Sequence, residues 1–160
     1  MDGLHIRWMI RRDMPKVMAI EESSFEFPWD ENMFVRVLRQ RNIVSLVAEV
    51  DEIIVGYVVH EFHKNRLHVI NFAVHPHFRR LGVGSAIVRK LVSKLSFERR
   101  NRIILEIRES NLGAHLFFRH LGFRAISVLR DFYDDTDEDA YLFQLRMVDY
   151  AAHRDALLCH

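Results

Sequence analysis

A basic turn that contains two glycines joins an apolar strand to an amphipathic helix near the middle of the chain. A strand is predicted over Leu67–Val74, the turn reads Arg79-Arg80-Leu81-Gly82-Val83-Gly84-Ser85, and apolar residues at helical spacing predict a helix over 83–97. Such a junction points free backbone N–H groups and the positive end of the helix dipole at one place. Because glycine has no side chain, a diphosphate can approach this backbone closely, with the two arginines at the rim.

Two other phosphate-binding motifs are absent from this turn. It has neither the GxxxxGK[ST] pattern of a P-loop nor the GxGxxG pattern of a dinucleotide site, which disfavours nucleotide hydrolysis and hydride transfer. The alternative to a diphosphate site is a basic surface turn at the start of a helix. The turn alone leaves both interpretations open.

Strand patterns recur on both sides of the turn. A first strand is predicted over Leu4–Met9, and Asp51-Glu52 joins Val44–Val50 to Ile53–His60 as an antiparallel hairpin. After the turn, strands are predicted over Arg102–Ile107, Phe123–Leu129 and Ala140–Met147.

Helix signals lie between these strands. Asp13 and Asp30 are predicted to cap helices over 14–23 and 30–41, and a further helix over Asn111–Leu121 stops at Gly122-Phe123. This order indicates an α/β fold, a mixed sheet with helices on both faces. Without a repeat or linker, residues 1–148 are predicted to form one domain, followed by a tail over 149–160.

Composition limits the classes of protein to which the chain can belong. Its 160 residues are 49% hydrophobic, and 23 basic and 22 acidic residues leave a net charge of +1. A protein that neutralises many phosphates is usually more basic, so we expect no nucleic-acid partner. The single cysteine, Cys159, excludes a disulfide framework and suits a reducing compartment. With no signal-peptide pattern or membrane-length apolar run, a soluble, cytoplasmic protein with no membrane association is expected.

Downstream motifs give the glycine turn a more specific meaning. The turn fits the pattern (Q/R)-x-x-G-x-(G/A), and it is followed by Leu105-Glu106-Ile107-Arg108-Glu109-Ser110-Asn111, Ala114, Phe117-Phe118 and Leu121-Gly122-Phe123. In this order and spacing, the motifs resemble the GCN5-related N-acetyltransferase (GNAT) family over residues 4–147. Within the family, the RimI-type enzymes, which acetylate the N-terminal alanine of a ribosomal protein, are the most similar at Phe27-Pro28-Trp29, Ala73-Val74-x-Pro76, Phe132-Tyr133 and Glu138-Asp139-Ala140.

The resemblance implies a fold and a cosubstrate. The GNAT fold is a single mixed, mostly antiparallel sheet of six to seven strands, with helices on both faces and splayed central parallel strands. Acetyl-CoA is implied between strands 67–74 and 102–107. The implied contacts with it are the backbone of Phe72, Ala73 and Val74, the turn from Arg79 to Ser85, Asn111 and Phe118.

The resemblance also implies catalytic roles. Glu106 matches the general base of RimI-type enzymes, which takes the proton of the acceptor amine. The alternative is an outward-facing carboxylate paired with a surface arginine, and strand alternation does not decide between the two. The tyrosine that acts as general acid in those enzymes falls on Phe118, which has no proton to give. Two replacements are available, Tyr133 and His68, and for each of them simple packing is the alternative.

The implied acceptor is the N-terminal amine of a protein or peptide, with a ribosomal protein as one candidate. Its implied contacts are Phe27, Trp29, Tyr133 and Glu138. The alternatives are that the aromatic run only packs between helices and that the acidic stretch from Asp131 to Asp139 is a solvated loop.

Other interpretations also remain open. Acetylation of a small amine, or acetyl-CoA binding without catalysis, are the alternative functions, and a monomer or weak dimer is expected. The pairs His60/His63 and His75/His77 have no obvious third ligand, so packing or solvated histidines are favoured and no metal is expected.

Overall fold

The computed structural model describes residues 2–158, with side chains described as far as residue 152. Backbone contacts divide the chain into two units. The first unit runs as far as Phe62 and resumes over Val69–Lys94, and the second consists of His63–His68 and the chain from Leu95 onward. Cys159, from which a reducing environment is predicted, lies outside the described residues. Within 2–158 there is no helix with the length and apolar character needed to span a membrane.

Antiparallel strands form the sheet of the first unit. β1 (Leu4–Trp8) pairs with β2 (Ile43–Val50), which pairs in turn with β3 (Ile53–Phe62). The β2–β3 turn places Asp51 and Glu52 at φ of 49° and 68°. Two left-handed residues match the twist of a two-residue hairpin, so the predicted hairpin is confirmed.

Parallel pairing enters through β4 (Leu67–Val74), which contributes residues to both units. Its first two residues pair in parallel with β5 (Arg102–Arg108), and β7 (Ala140–Arg146) pairs antiparallel with both β5 and β6 (Arg124–Leu129). The strand order is β1-β2-β3-β4-β5-β7-β6. The predicted α/β fold with a mixed, mostly antiparallel sheet is therefore confirmed, with seven strands.

The helices follow the predicted order. They are α1 (Met14–Ser24), α2 (Glu31–Leu38), α3 (Val83–Val92), α4 (Leu112–His120) and α5 (Met147–Leu158). The residues predicted as a tail after 148 thus continue as a helix as far as Leu158, and the division at residue 148 stays a prediction.

Three helix ends differ in detail from the sequence prediction. α2 ends at Leu38, three residues before the predicted end at Arg41. α3 ends at Val92 rather than Phe97. The Ser93 N–H still donates to the Arg89 carbonyl, but the Lys94 N–H donates to the Leu91 carbonyl, a tighter 3₁₀-type bond that closes the helix. Asp13 is not a side-chain cap of α1. It ends a short 3₁₀ turn, and its carboxylate accepts hydrogen bonds from Arg7 at 2.8 and 2.9 Å instead. Asp30 does cap α2 as predicted, accepting from the Met33 N–H at 2.8 Å.

A close approach of α3 to β3 fixes the position of the glycine turn within the first unit. A Cβ added to Gly56 of β3 would lie 3.1 Å from the Ala73 carbonyl oxygen, 3.2 Å from Val83 and 3.3 Å from Ile87. These contacts are tighter than ordinary packing allows, so only glycine lets the start of α3 lie this close to the strand.

Candidate active site

The glycine turn has a backbone suited to an anion. Gly82 caps α3 with φ of 88°, and Arg80 lies at φ of 63°, a region that is uncommon for a residue with a side chain. A Cβ built on Gly82 meets nothing within 4 Å, so the space beside it is open. The first N–H groups of α3 have no partner inside the helix and lie at the positive end of its dipole. This geometry fits a diphosphate, and the binding role stays a prediction.

Arginines and a lysine surround this turn. Arg79 donates from Nε to the Val74 carbonyl at 3.0 Å and from its terminal nitrogen to Ser24 Oγ at 3.2 Å, so it braces the turn. A cavity of about 670 Å³ beside α3 is lined by residues that include Ser85, Arg89 and Lys90. Arg89 and Lys90 were not among the residues predicted from the sequence to lie in the site. The signal that could have identified Arg89 is its i+4 spacing from Ser85.

The predicted pantetheine-binding backbone lies at the end of β4. Side chains alternate there, with Asn71 and Ala73 buried and Phe72 and Val74 partly exposed. The Phe72 N–H donates to Asn71 Oδ1 at 2.9 Å, and the Val74 carbonyl accepts from Arg79. Both backbone groups therefore already have a partner within the first unit.

Glu21 forms a buried hydrogen-bond network that the sequence analysis missed. Its side chain is 1% exposed, and one oxygen accepts from the Trp29 N–H at 2.9 Å. The other oxygen accepts from Asn71 Nδ2 at 2.8 Å and from the Tyr57 hydroxyl. Burial and the neighbouring carboxylate raise the pKa of Tyr57, so the phenol stays a donor. A glutamate among the buried positions of α1 was the available signal.

This network fixes the backbone of the predicted acceptor loop. Trp29 follows Phe27 in that loop, and its ring packs edge-on against Phe34 with centroids 5.0 Å apart. Phe27 is 40% exposed. Trp29 thus packs against a helix, which fits the alternative that the aromatic run has a packing role. Phe27, in contrast, presents part of its ring to solvent.

In the second unit, Glu106 and His68 contact each other. His68 Nε2 lies 2.7 Å from Glu106 Oε2, and both side chains are about four-fifths buried. The parallel register sets His68 opposite Ile104, and Glu106 is two residues further along on the same face of β5. The two predicted catalytic side chains therefore form one hydrogen-bonded pair.

Arg108 lies on this same face of β5 and holds Tyr133. The guanidinium carbon is 3.8 Å from the centre of the Tyr133 ring, a stacked cation–π contact. Burial raises the pKa of Tyr133 to about 12, and the Glu106 charge adds to this while Arg108 opposes it. Tyr133 is therefore protonated at neutral pH.

The acidic loop is partly neutralised by basic and hydroxyl groups. Asp135 accepts from Arg108 at 2.7 and 3.1 Å, and this hydrogen bond lowers the pKa of Asp135. Glu138 accepts from the Ser110 hydroxyl at 2.6 Å, which lowers the pKa of Glu138. These contacts fasten the loop to β5, so it is more than a solvated segment.

Asn111 and Phe118 have structural partners in α4. The Asn111 side chain caps the helix by accepting from the Ala114 N–H at 3.1 Å. Phe118 is 5% exposed and packs edge-on against Phe117 and Phe123. Both contacts lie in the second unit, and the predicted cofactor roles of the two residues stay predictions.

The sequence over residues 14–123 matches the acetyltransferase (GNAT) family model. The chain belongs to this family. It is accordingly an N-acetyltransferase, and acetyl-CoA is the cosubstrate of the family.

Similar proteins cover most of this GNAT chain. An uncharacterized N-acetyltransferase of Methanocaldococcus jannaschii is 31% identical over 138 residues, 86% of this chain and 88% of the relative. An N-alpha-acetyltransferase of Sulfurisphaera tokodaii is 29% identical over 143 residues, 81% and 85% of the two chains. The crystal structure of the ribosomal-protein-S18-alanine N-acetyltransferase from Escherichia coli superposes with a TM-score of 0.78 at 25% identity, covering 90% and 94%.

Three of the four histidines in the pairs His60/His63 and His75/His77 have partners in the first unit. His60 is fully buried beside Lys94, with Nε2 and Nζ 3.3 Å apart, and burial together with the Lys94 charge lowers the pKa of His60 to about 3. The His75 Nδ1 accepts from the His77 N–H at 3.1 Å in a turn. Packing and turn formation account for these three side chains. The fourth, His63, lies in the second unit beside His68, with ring centroids 6.3 Å apart.

Proposed function

We propose that this GNAT enzyme acetylates the N-terminal α-amine of a protein or peptide. The names of two similar proteins, an archaeal N-alpha-acetyltransferase and a ribosomal-protein-alanine N-acetyltransferase, support this acceptor class. The observation that carries the proposal is the hydrogen-bonded pair of Glu106 and His68, with Glu106 on the same face of β5 as Arg108. A ribosomal protein N-terminus is one candidate acceptor.

Glu106 is the proposed general base. An α-amine has a pKa of about 8, so at neutral pH most of it carries a proton that must be removed before it can react. Glu106 takes that proton through a water molecule. The amine nitrogen then bonds to the acetyl carbonyl carbon, the bond from that carbon to the CoA sulfur breaks, and its electron pair leaves on the sulfur. The nitrogen loses its second proton, which ends on the thiolate, so the products are the amide and the CoA thiol.

His68 is the proposed partner of this base. An imidazole within hydrogen-bond distance orients a carboxylate, and it can accept a proton and pass it on. With Glu106 Oε2 and His68 Nε2 2.7 Å apart, the removed proton has a second site within one hydrogen bond. His68 would thus orient Glu106 and accept the proton that Glu106 removes, rather than only pack beside it.

Tyr133 is the proposed acceptor contact and the candidate proton donor. Its raised pKa of about 12 keeps the phenol protonated where the enzyme works. Phe118 supplies no proton, and the reference thiol pKa of about 8.5 makes a thiolate an acceptable leaving group without a strong acid. Tyr133 would therefore assist the reaction without being essential to it.

The remaining binding roles belong to the same proposal. Phe27, Trp29 and Glu138 would contact the acceptor. Acetyl-CoA would be held by the glycine turn, the end of β4, Asn111 and Phe118. The near-neutral charge and single cysteine support action in the cytoplasm without nucleic acid, as a monomer or weak dimer.

Three acceptors test the proposed function. They are a lysine-free peptide with a free N-terminal alanine, the same peptide with a blocked N-terminus and one lysine, and spermidine. We expect CoA release and a mass increase only with the first. Acetylation of spermidine alone would indicate a small-amine enzyme. Tight acetyl-CoA binding with no product from any acceptor would indicate a binding module.

A further inference from the structure

An apolar pocket in the first unit is separate from every residue assigned above. Its volume is about 440 Å³, within the range of small-molecule sites. The end of β1, the start of β2 and the last turn of α2 line it. Its lining includes Met9, Met14 and Leu38, and methionine side chains adapt to ligands of different shapes.

Large apolar side chains remain uncovered at the mouth of this pocket. Trp8 is 73% exposed and Ile10 is 46% exposed, and both line the pocket. Large apolar side chains that stay exposed beside a cavity are typical of a binding site. A ligand with an apolar portion would remove this surface from water.

Two arginines give the pocket a preference for negative charge. Arg11 and Arg39 both line it, and in the described part of the chain neither forms an ion pair. The nearby carboxylates are already taken, because Arg7 pairs with Asp13 at 2.8 Å and with Glu49 at 3.2 Å. Of the described residues that line the pocket, none is acidic.

The interior of the pocket offers little polar recognition. Ser45 is its one hydroxyl residue among the described lining, and that hydroxyl already contacts the Val58 carbonyl at 3.2 Å and the Met9 sulfur at 3.3 Å. A sugar or nucleotide would bring many polar groups without partners here. The chemistry that fits is one anionic group attached to an aliphatic tail.

We propose that this pocket binds an amphipathic monocarboxylate, with its aliphatic tail against Trp8 and Leu38 and its carboxylate between Arg11 and Arg39. A guanidinium and a carboxylate form strong charge-assisted hydrogen bonds, so the head group sets the preference among molecules with equal tails. The site is independent of the proposed acetyl acceptor.

Intrinsic fluorescence tests the proposal directly. The chain has two tryptophans, so Trp29→Phe leaves Trp8 as the only emitter. Decanoate below its micelle-forming concentration should shift the Trp8 emission to the blue in a saturable way. Decyltrimethylammonium should not, and decanol should bind at least about tenfold more weakly. Calorimetry on the unsubstituted chain gives the same comparison if Trp29→Phe fails to fold.

Charge-reversal variants test whether Arg11 and Arg39 bind the carboxylate. Arg11→Glu together with Arg39→Glu should weaken decanoate binding at least about tenfold. Arg12→Glu together with Arg36→Glu is the matched control, because these neighbours do not line the pocket, and it should leave binding unchanged. Equal binding of decanoate and decanol, or no saturable response to decanoate, would overturn the proposal. A response only to an acidic, leucine-containing peptide would also overturn it, and would assign the pocket to a protein partner.

Discussion

Arg108 is the residue through which β5 holds the acidic loop of the second unit. Its guanidinium stacks on Tyr133 and forms two hydrogen bonds with Asp135, while Glu138 lies 3.7 Å away. A planar guanidinium can lie against a ring and donate in a fork at the same time. A lysine ammonium is a compact point charge and cannot make both contacts together.

Substitution Arg108→Lys should therefore loosen the acceptor side without removing the charge. We expect the KM for the N-terminal peptide to rise roughly tenfold, with the KM for acetyl-CoA changed less than about twofold. Steady-state kinetics with each substrate varied in turn measures both. Arg130→Lys, at an exposed ion pair with Asp139, is the matched control and should change neither value. An unchanged peptide KM in Arg108→Lys would remove Arg108 from the positioning of this loop.

Some residues of the candidate site were predicted from the sequence, and others were not. Glu106, His68 and Tyr133 were selected by the family resemblance, but the contact between Glu106 and His68 was not predicted. The two residues are 38 positions apart, and only the parallel register of β4 and β5 brings them together. Glu21 was missed because its partners come from three other segments of the chain, and no local pattern reports such a network.

At the scale of elements, the glycine turn depends on one backbone conformation. Gly82→Ala adds a Cβ to a residue at φ of 88°, which costs about 1–2 kcal/mol in stability, and fills the open space beside the N–H groups. We expect acetyl-CoA affinity to fall about tenfold or more, measured by calorimetry. Gly3→Ala, at φ of 78° and outside the site, carries the same strain and should leave the affinity unchanged. Equal affinities in both variants would show that the turn does not cradle the cosubstrate.

The close packing of α3 on β3 depends on the absence of a side chain at Gly56. Gly56→Ala places a methyl group 3.1–3.3 Å from three neighbours, and should lower the free energy of unfolding by about 1–3 kcal/mol. Urea denaturation measures this change. Gly113→Ala lies in α4, where the nearest atom to an added Cβ is 3.9 Å away, so it should stabilise by roughly 0.5–1 kcal/mol. A neutral effect of Gly56→Ala would mean that the helix shifts to accept the methyl group.

The strands and helices were predicted more accurately than the residues at which they end. The β2–β3 hairpin was predicted correctly because two apolar runs rich in Val and Ile, separated by only Asp51-Glu52, allow few other structures. The predicted end of α3 was wrong because Leu95 continues the apolar pattern, whereas the backbone hydrogen bonds close in a 3₁₀-type turn at Lys94. Periodicity reports which side chains are buried, and it does not report where the backbone hydrogen bonds stop.

At the scale of the whole molecule, acid stability depends on the buried carboxylate of Asp13. The hydrogen bond from Arg7 lowers the pKa of Asp13 below its ordinary value of 3.8, and the side chain is only 5% exposed. A group whose folded pKa is depressed contributes stability that is complete above its ordinary pKa. That contribution is lost as the pH falls through the lower folded value.

Substitution Asp13→Asn should therefore destabilise the chain most at neutral pH. We expect a loss of about 1–3 kcal/mol near pH 7 that shrinks below about pH 4, measured by urea denaturation across this range. Asp149→Asn, which breaks an exposed pair with Arg146, is the control and should cost less than about 1 kcal/mol at any pH. A loss in Asp13→Asn that stays constant down to pH 2 would contradict the assigned ion pair.

The fold class and the family were within reach of the sequence, because the glycine turn and the downstream motif keep their order and spacing along the chain. The apolar pocket was not predicted, because its lining comes from β1, β2, α1, α2 and the 3₁₀ turn, each with an ordinary sequence pattern. The site chemistry lies between these cases. Its residue types were predicted, and their pairing required the register of the strands.

The Glu106→Gln variant removes the proposed general base while leaving the shape of the site intact. It keeps the size and most of the hydrogen bonding of the side chain but cannot take a proton. Single-turnover acetylation of a free N-terminal peptide should slow by about 10²–10⁴-fold, while the Kd for acetyl-CoA stays within about twofold of the unsubstituted value. An acetylation rate within a few-fold of the unsubstituted enzyme would contradict the claim that Glu106 takes the proton of the N-terminal amine.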